Sequence, residues 1–143
     1  MIIVDTNIIT YLFIEGENTS KAEYALRKDS EWAAPILWRS EFRNVLSFYM
    51  RNQNLELDKA IKIMNKAIHL MNENEYDVIS LDVLQLAESS GCSAYDCEFV
   101  ALAENLGVSL VTSDKKVLKA FPQYTISLEK YIFCQTKFVI PSE

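Results

Sequence analysis

Short apolar runs alternate along this chain with stretches of helical period. Ile2–Val4 is a continuous β-branched run, as expected for a strand buried on both faces of a parallel sheet. Residues 7–14 carry a helical pattern closed by Gly16, and Ser20 with Glu23 has the spacing of a capping box opening a second short helix. Residues 32–34 predict a short strand before Pro35, followed by two longer helices over 37–52 and 57–72. A further strand is expected over 77–80, then a helix over 82–89 that stops at Gly91. Ser93 is placed to cap a helix over 95–106 ended by Gly107. Residues 108–112 read as a strand, Ser113 as the cap of Lys115–Ala120, and 124–127 as a last strand. From Leu128 the pattern suggests one helical turn and an extended stretch over 138–140. Strands alternating with helices imply an α/β sandwich with a mainly parallel sheet, and ligands gather beyond the carboxyl ends of such strands.

Composition narrows the class. The 143 residues, half of them hydrophobic with only three glycines, suit one compact domain with one core. No apolar run approaches the roughly 18–20 residues a transmembrane helix needs. The first residues lack the basic and long apolar regions of a signal peptide, so the expected location is the cytoplasm and no membrane partner is expected. Cys92, Cys97 and Cys134 are odd in number and show no C-x-x-C spacing, which argues against a disulfide framework or a zinc site. The one histidine, His69, lies in a helical pattern with no evident acid–base partner. A net charge of −6 is unfavourable for contact with nucleic acid, but it weighs less if part of the acid is a cation-binding cluster.

Four carboxylates fall where burial patterns call for something else. Asp5 ends the first strand, and Asp114 lies just past the strand that ends at Thr112; both therefore sit at carboxyl ends. Glu41 shares a helix face with Leu37, Trp38 and Val45, and Asp96 shares one with Cys92, Phe99 and Val100. An unpaired carboxylate in such a setting costs several kcal/mol or stays protonated. No arginine or lysine has a fixed place on these faces, so a hard divalent cation is the natural compensator, able to activate a water and clamp a phosphate. Each acid also has a purely structural alternative. Asp5 could cap the following helix, Asp96 could complete a Ser93-x-x-Asp96 box, and Asp114 could favour a helix N-terminus. Glu41 could turn outward or pair with Arg39 or Arg43. Caps leave Glu41 unexplained.

Val4-Asp5-Thr6-Asn7, Ser40-Glu41, the run from Ala94-Tyr95-Asp96 to Ala103-Glu104, and Val111-Thr112-Ser113-Asp114 resemble, in order, the successive motifs of PIN domains. The likeness is greatest to the toxin nucleases of VapBC toxin–antitoxin systems. It spans residues 1 to about 127 of a single PIN domain covering 1–143, with 128–143 as a C-terminal extension. The resemblance implies a three-layer α/β/α sandwich and a metal-dependent endoribonuclease acting on single-stranded or looped RNA. It implies Mg²⁺ or Mn²⁺ as cofactor, a homodimer, and a cognate antitoxin as partner. Residue by residue, Asp5, Glu41, Asp96 and Asp114 match the metal-site acids, while Thr6, Asn7 and Thr112 match small polar residues that orient ligands or waters behind them. Some relatives carry a further acid shortly after the position of Asp114. Lys115, Lys116 and Val117 stand here instead, a departure that leaves open whether one metal ion or two would bind.

Of the cations, Arg39, Arg43, Lys115, Lys116 and Lys119 lie nearest these acids in sequence, and several are expected along an RNA groove. Three rivals are set against this reading. A phosphatase of the haloacid-dehalogenase type needs a second Asp two residues beyond the first, where Asn7 stands. A catalytically silent PIN module would bind RNA or protein without cutting. A PIN nuclease could also serve RNA processing without being a toxin.

Overall fold

The computed structural model describes the backbone of residues 1–139 and the side chains through Phe133. Among the described residues, five strands form one sheet in the order β3-β2-β1-β4-β5, and every pairing is parallel. The strands are β1 (Ile2–Val4), β2 (Trp32–Pro35), β3 (Glu75–Tyr76), β4 (Leu110–Thr112) and β5 (Thr125–Ser127). The helices are α1 (Thr6–Phe13), α2 (Thr19–Lys28), α3 (Trp38–Asn52), α4 (Leu57–Met71), α5 (Ser80–Ser90), α6 (Ala94–Leu106), α7 (Lys115–Ala120) and α8 (Leu128–Val139). The expected mainly parallel sheet is thus parallel throughout, in a three-layer α/β/α arrangement.

The central strands β1, β2 and β4 are fully buried along their lengths, which is why they read as unbroken apolar runs. Helix α6 lies across β1, β2 and β4, and α5 covers α6 from outside. Its continuous stretch from Phe99 to Ala103 is buried because both of its sides are covered. On the other face α1 packs on β1 and β4, α4 packs on β2, and α3 packs on both helices. Trp38, Phe42 and Leu46, at helical spacing on α3, supply its buried stripe. The β1–β4 pairing matches Ile3 with Leu110 and Val4 with Val111, so the two carboxyl ends finish side by side.

Four local expectations are corrected. The strand expected over 77–80 is Glu75–Tyr76, because a two-residue edge strand leaves no period to read, and residue 80 already opens α5. The Ser20–Glu23 capping box does not form. Instead α2 begins at Thr19, whose hydroxyl accepts the Gly16 amide at 3.0 Å and donates to the Tyr11 carbonyl at 2.7 Å, tying the end of α1 to the start of α2. Asp114, not Ser113, caps α7, accepting the amides of Lys116 and Val117 at 2.9 and 3.3 Å. The tail forms α8, a helix of 12 residues rather than one turn, so 138–139 are helical and Ile140 lies outside the described residues. Lys21 pairs with Glu129 at 3.1 Å and Lys28 donates to the Tyr131 carbonyl, which docks α8 on α2.

Thr19 therefore provides a test of this junction. Thr19→Ala, which leaves the Gly16–Tyr11 corner without its buried hydroxyl, is expected to lose about 1–3 kcal/mol in thermal or urea unfolding. Ser20→Ala and Glu23→Ala, both at exposed positions, should stay within about 0.5 kcal/mol. Equal losses at all three positions would restore the capping box.

Candidate metal centre

Asp5 is set by the backbone before its side chain matters. Its amide donates to the Val111 carbonyl at 3.0 Å, extending the β1–β4 ladder by one bond, and its carbonyl accepts the Ile8 amide at 3.0 Å as α1 begins. It is thus strand end and helix cap together. Its two carboxylate oxygens have separate partners. Oδ1 accepts the Thr6 amide at 2.8 Å, and Oδ2 accepts the Thr112 hydroxyl at 2.7 Å. The same Thr112 oxygen, fully buried, accepts the Asp114 amide at 3.0 Å. One hydroxyl therefore fixes both acids at the carboxyl end of the sheet.

Thr6 repeats the arrangement toward α3. Its hydroxyl donates to Glu41 Oε1 at 2.6 Å, so Glu41 turns inward to the sheet. The local ion pair that Glu41 could have made is absent. Arg39 forms a bidentate pair with Glu75 at 2.6 and 2.7 Å, in which the Trp38 indole also donates to Glu75, and Arg43 donates to Ser40. Arg39 is accordingly removed from the cations expected along a groove. Asp96 is brought up by α6, whose cap Ser93 accepts the Asp96 amide at 3.0 Å. Asn7 Oδ1 faces the Ser113 amide at 3.4 Å, which turns its NH₂ group, a donor of two hydrogen bonds, away from that contact.

Asp5, Thr6, Asn7, Glu41, Asp96 and Asp114 line one open cavity of about 430 Å³, with Thr112 beneath it. Thr10, Tyr11, Asn44 and Val45 complete the lining and were not singled out from the sequence. Helical spacing held the clue, since Asn44 follows Glu41 by three positions and Thr10 and Tyr11 follow Asn7 by three and four. Glu98 was also passed over, although its charge raises the Glu41 pKa. A larger cavity of about 680 Å³ lies between α1, α2 and α4, walled by Leu12, Phe13, Leu26, Ile63 and Leu70. Glu23 is its one acid and His69 lies on its wall, so it lacks the donor set of the smaller one.

The electrostatics follow from burial first and crowding second. Burial pushes the Asp5 carboxyl up to about 6 against the opposing pull of its Thr112 and Thr6 bonds, and the charges of Asp96 and Asp114 add to the rise. Glu41 is raised by burial and then by Asp5, Asp96 and Glu98, partly offset by Thr6. Asp96 is raised by burial and by Asp114, with Ser93 and Lys116 pulling the other way. Among the described residues no three acids, histidines or cysteines converge as a ready-made metal cage. A Mg²⁺-sized ion does not require one, since it keeps several waters and takes one or two carboxylates besides phosphate oxygens. The donor set is all hard oxygen, partly desolvated and short of cations, and it fits such an ion.

This geometry stands beside clear relatives. The PIN domain family matches residues 2–122, and the chain belongs to that family. Ribonuclease VapC3 of Pyrobaculum aerophilum is 28% identical over 124 residues, which cover 85% of this chain and 95% of the relative. A crystal structure from Pyrobaculum aerophilum has a TM-score of 0.74 at 21% identity, covering 94% of this chain and 96% of that one. FitAcB from Neisseria gonorrhoeae has a TM-score of 0.71 at 16% identity, covering 90% of this chain and 99% of its own. A toxin–antitoxin complex from Klebsiella pneumoniae has a TM-score of 0.65 at 16% identity, covering 90% and 98%. At these identities the structural likenesses establish the shared fold.

The raised Asp5 pKa sets a pH dependence for the cation-free protein. A carboxyl whose folded pKa lies above its unfolded value binds more protons when folded, so its stability contribution is full below about 4 and is lost as pH rises through about 6. A shift of this size, with the opposing Thr112 and Thr6 bonds already included, corresponds to about 3 kcal/mol at neutral pH. Asp5→Asn should therefore raise the melting temperature of the cation-free protein by a few degrees at pH 7.5 and flatten its fall between pH 5 and 7. A mutant that melts lower with an unchanged pH profile would make Asp5 a structural cap only.

Proposed function

We propose that this chain is a metal-dependent endoribonuclease that cuts single-stranded or looped RNA and acts as the toxin of a toxin–antitoxin pair. The observation that carries the reading is the meeting of Asp5, Glu41, Asp96 and Asp114 around one open cavity in a PIN domain. Those four acids would hold Mg²⁺ or Mn²⁺, and Thr6, Asn7 and Thr112 would orient them. Bound there, a divalent cation supplies neutralising charge for the phosphodiester and lowers the pKa of a bound water.

The protein's own part is positioning. Thr112 and Thr6 clamp Asp5 and Glu41 in one setting, so the acids need not reorganise as substrate arrives. An open cavity suits a single strand or a loop, whose phosphates can be drawn into a recess. Nucleophilic catalysis by the chain itself has no support among the described residues, since His69 lies on the other cavity and Cys92 and Cys97 are buried. A relative named as a ribonuclease favours RNA, and a similar fold in a toxin–antitoxin complex favours an antitoxin partner. That antitoxin would cover the acids with a basic side chain. The chain would act in the cytoplasm, as a single domain and as a homodimer. Among the described residues no helix is long and apolar enough to cross a membrane.

The test is purified protein on defined RNAs with Mn²⁺ or EDTA. Cleavage in Mn²⁺ is expected to leave a 5′-phosphate and a 3′-hydroxyl and to stop in EDTA. Glu41→Gln should slow it about 100-fold or more, and Thr112→Val about 10–100-fold. Cutting that persists in EDTA, or ends in 2′,3′-cyclic phosphate, excludes this mechanism. Toxin function is read separately, from growth arrest on expression and its relief by a small protein encoded alongside.

A further inference from the structure

The acids that favour a cation also repel an RNA backbone, so a phosphate entering this cavity needs a positive group of the protein close by. Sequence proximity offered five. Arg39 is held in its bidentate pair with Glu75, and Arg43 is turned toward Ser40 on its own helix. On α7, Lys115 and Lys119 are exposed. Lys116 differs from all four.

Lys116 is tied to the site at both ends. Its amide donates to Asp114 Oδ1 at 2.9 Å, which fixes where its side chain starts. Its ammonium reaches the Gly91 carbonyl at 3.3 Å, in the connection between α5 and α6 just before Ser93. The side chain therefore runs from Asp114 toward the turn that delivers Asp96, and its charge is felt at the Asp96 carboxyl. Among the described residues this is the ammonium's one hydrogen bond, and it is long and exposed. An ammonium has three donors, so at least two remain for other oxygens. A phosphate oxygen makes a stronger, charge-assisted bond than a neutral carbonyl.

We propose that Lys116 is the RNA-binding cation of this site: it lets go of Gly91 and takes a phosphate oxygen of the single strand as it enters between Asp96 and Asp114. The assignment rests on the ribonuclease reading and adds the residue that admits a polyanion to an acidic cavity. It also gives the exposed pair Lys115–Lys116 unequal roles, since Lys116 reaches from Asp114 to the Gly91 carbonyl.

The experiment measures binding of a fluorescein-labelled single-stranded RNA by fluorescence anisotropy across a salt series, with Ca²⁺ as the cation. Wild type, Lys116→Ala, Lys116→Arg and Lys115→Ala are compared. Lys116→Ala should weaken binding about fivefold near 0.1 M salt and make the slope of log affinity against log salt shallower by about 0.7, the value for one lost phosphate contact on a single strand. Lys116→Arg should keep the slope and stay within about twofold, as should Lys115→Ala. All variants should melt within about 1 °C of wild type, since the altered side chains are exposed. An unchanged slope in Lys116→Ala overturns the assignment. So does an equal loss in Lys115→Ala, which would mean diffuse surface charge. Wild type without RNA affinity at low salt overturns the ribonuclease reading and this proposal with it, whereas tight wild-type binding that ignores Lys116 overturns this proposal alone.

Discussion

The placement of Asp5 against Asp114 depends on one buried hydroxyl. Thr112 ends β4 inside the sheet, and its oxygen both donates to Asp5 and accepts from the Asp114 backbone. The parallel β1–β4 pairing sets the two strand ends level, and the hydroxyl then converts that register into a fixed spacing between acids that are more than one hundred residues apart in sequence. Thr6 does the equivalent for α3 by holding Glu41. A hydroxyl is suited to this because it orients a carboxylate without cancelling its charge. A lysine or arginine in either place would neutralise the acid as well as orient it.

The consequence is a site whose negative charge is stabilised in position but not in energy. Burial is the first cause of the upward shift at Asp5, Glu41 and Asp96 alike, with mutual repulsion second. Desolvation is intrinsic to where each side chain sits, so spreading the acids apart would relieve only the smaller part. What relieves the larger part is a ligand that replaces lost hydration with its own charge. The caps at Asp5 and Asp114 fit the same logic. Each acid accepts main-chain amides, which reduces its cost without occupying the cavity. Capping and site-building were alternatives in the sequence, but in the structure the Asp5 and Asp114 carboxylates cap their helices and line the cavity at once.

Legibility in the sequence tracked how many residues carried each signal. β1 and β4 were clear because both faces are buried and the run is unbroken. Edge strand β3 was displaced by two residues because two positions have no alternation. The cap slipped by one residue at α7, where neighbouring Ser113 and Asp114 offer equivalent oxygens and only tertiary bonds choose between them, while α2 begins at Thr19 behind Asn18, which makes no side-chain cap bond. Of the cavity's lining, the acids were legible because a charge among apolar neighbours breaks a pattern. Asn44 and Tyr11 break none, and Glu98 was hidden as one more acid on a helix. Arg39 shows the opposite failure. It is two residues from Glu41, yet two positions turn a helix by about 200°, and a bidentate carboxylate on β3 claimed it instead.

Under the proposed function, the net charge of −6 becomes a constraint rather than an objection. A cavity that holds partly desolvated carboxylates binds a cation well and a polyanion poorly when each comes alone. With the cation present the repulsion of phosphate falls, and with phosphate present the cation gains oxygen ligands. By reciprocity each must raise the affinity of the other by the same factor. The protein then needs only a little positive charge of its own, at the point where the strand enters, and more would be counterproductive, since cations packed against the acids would neutralise them without any ligand. The described structure has that distribution near the site. Arg39 is sequestered against Glu75, hydroxyls and amides hold the acids, and Lys116 lies between Asp114 and the turn before Asp96.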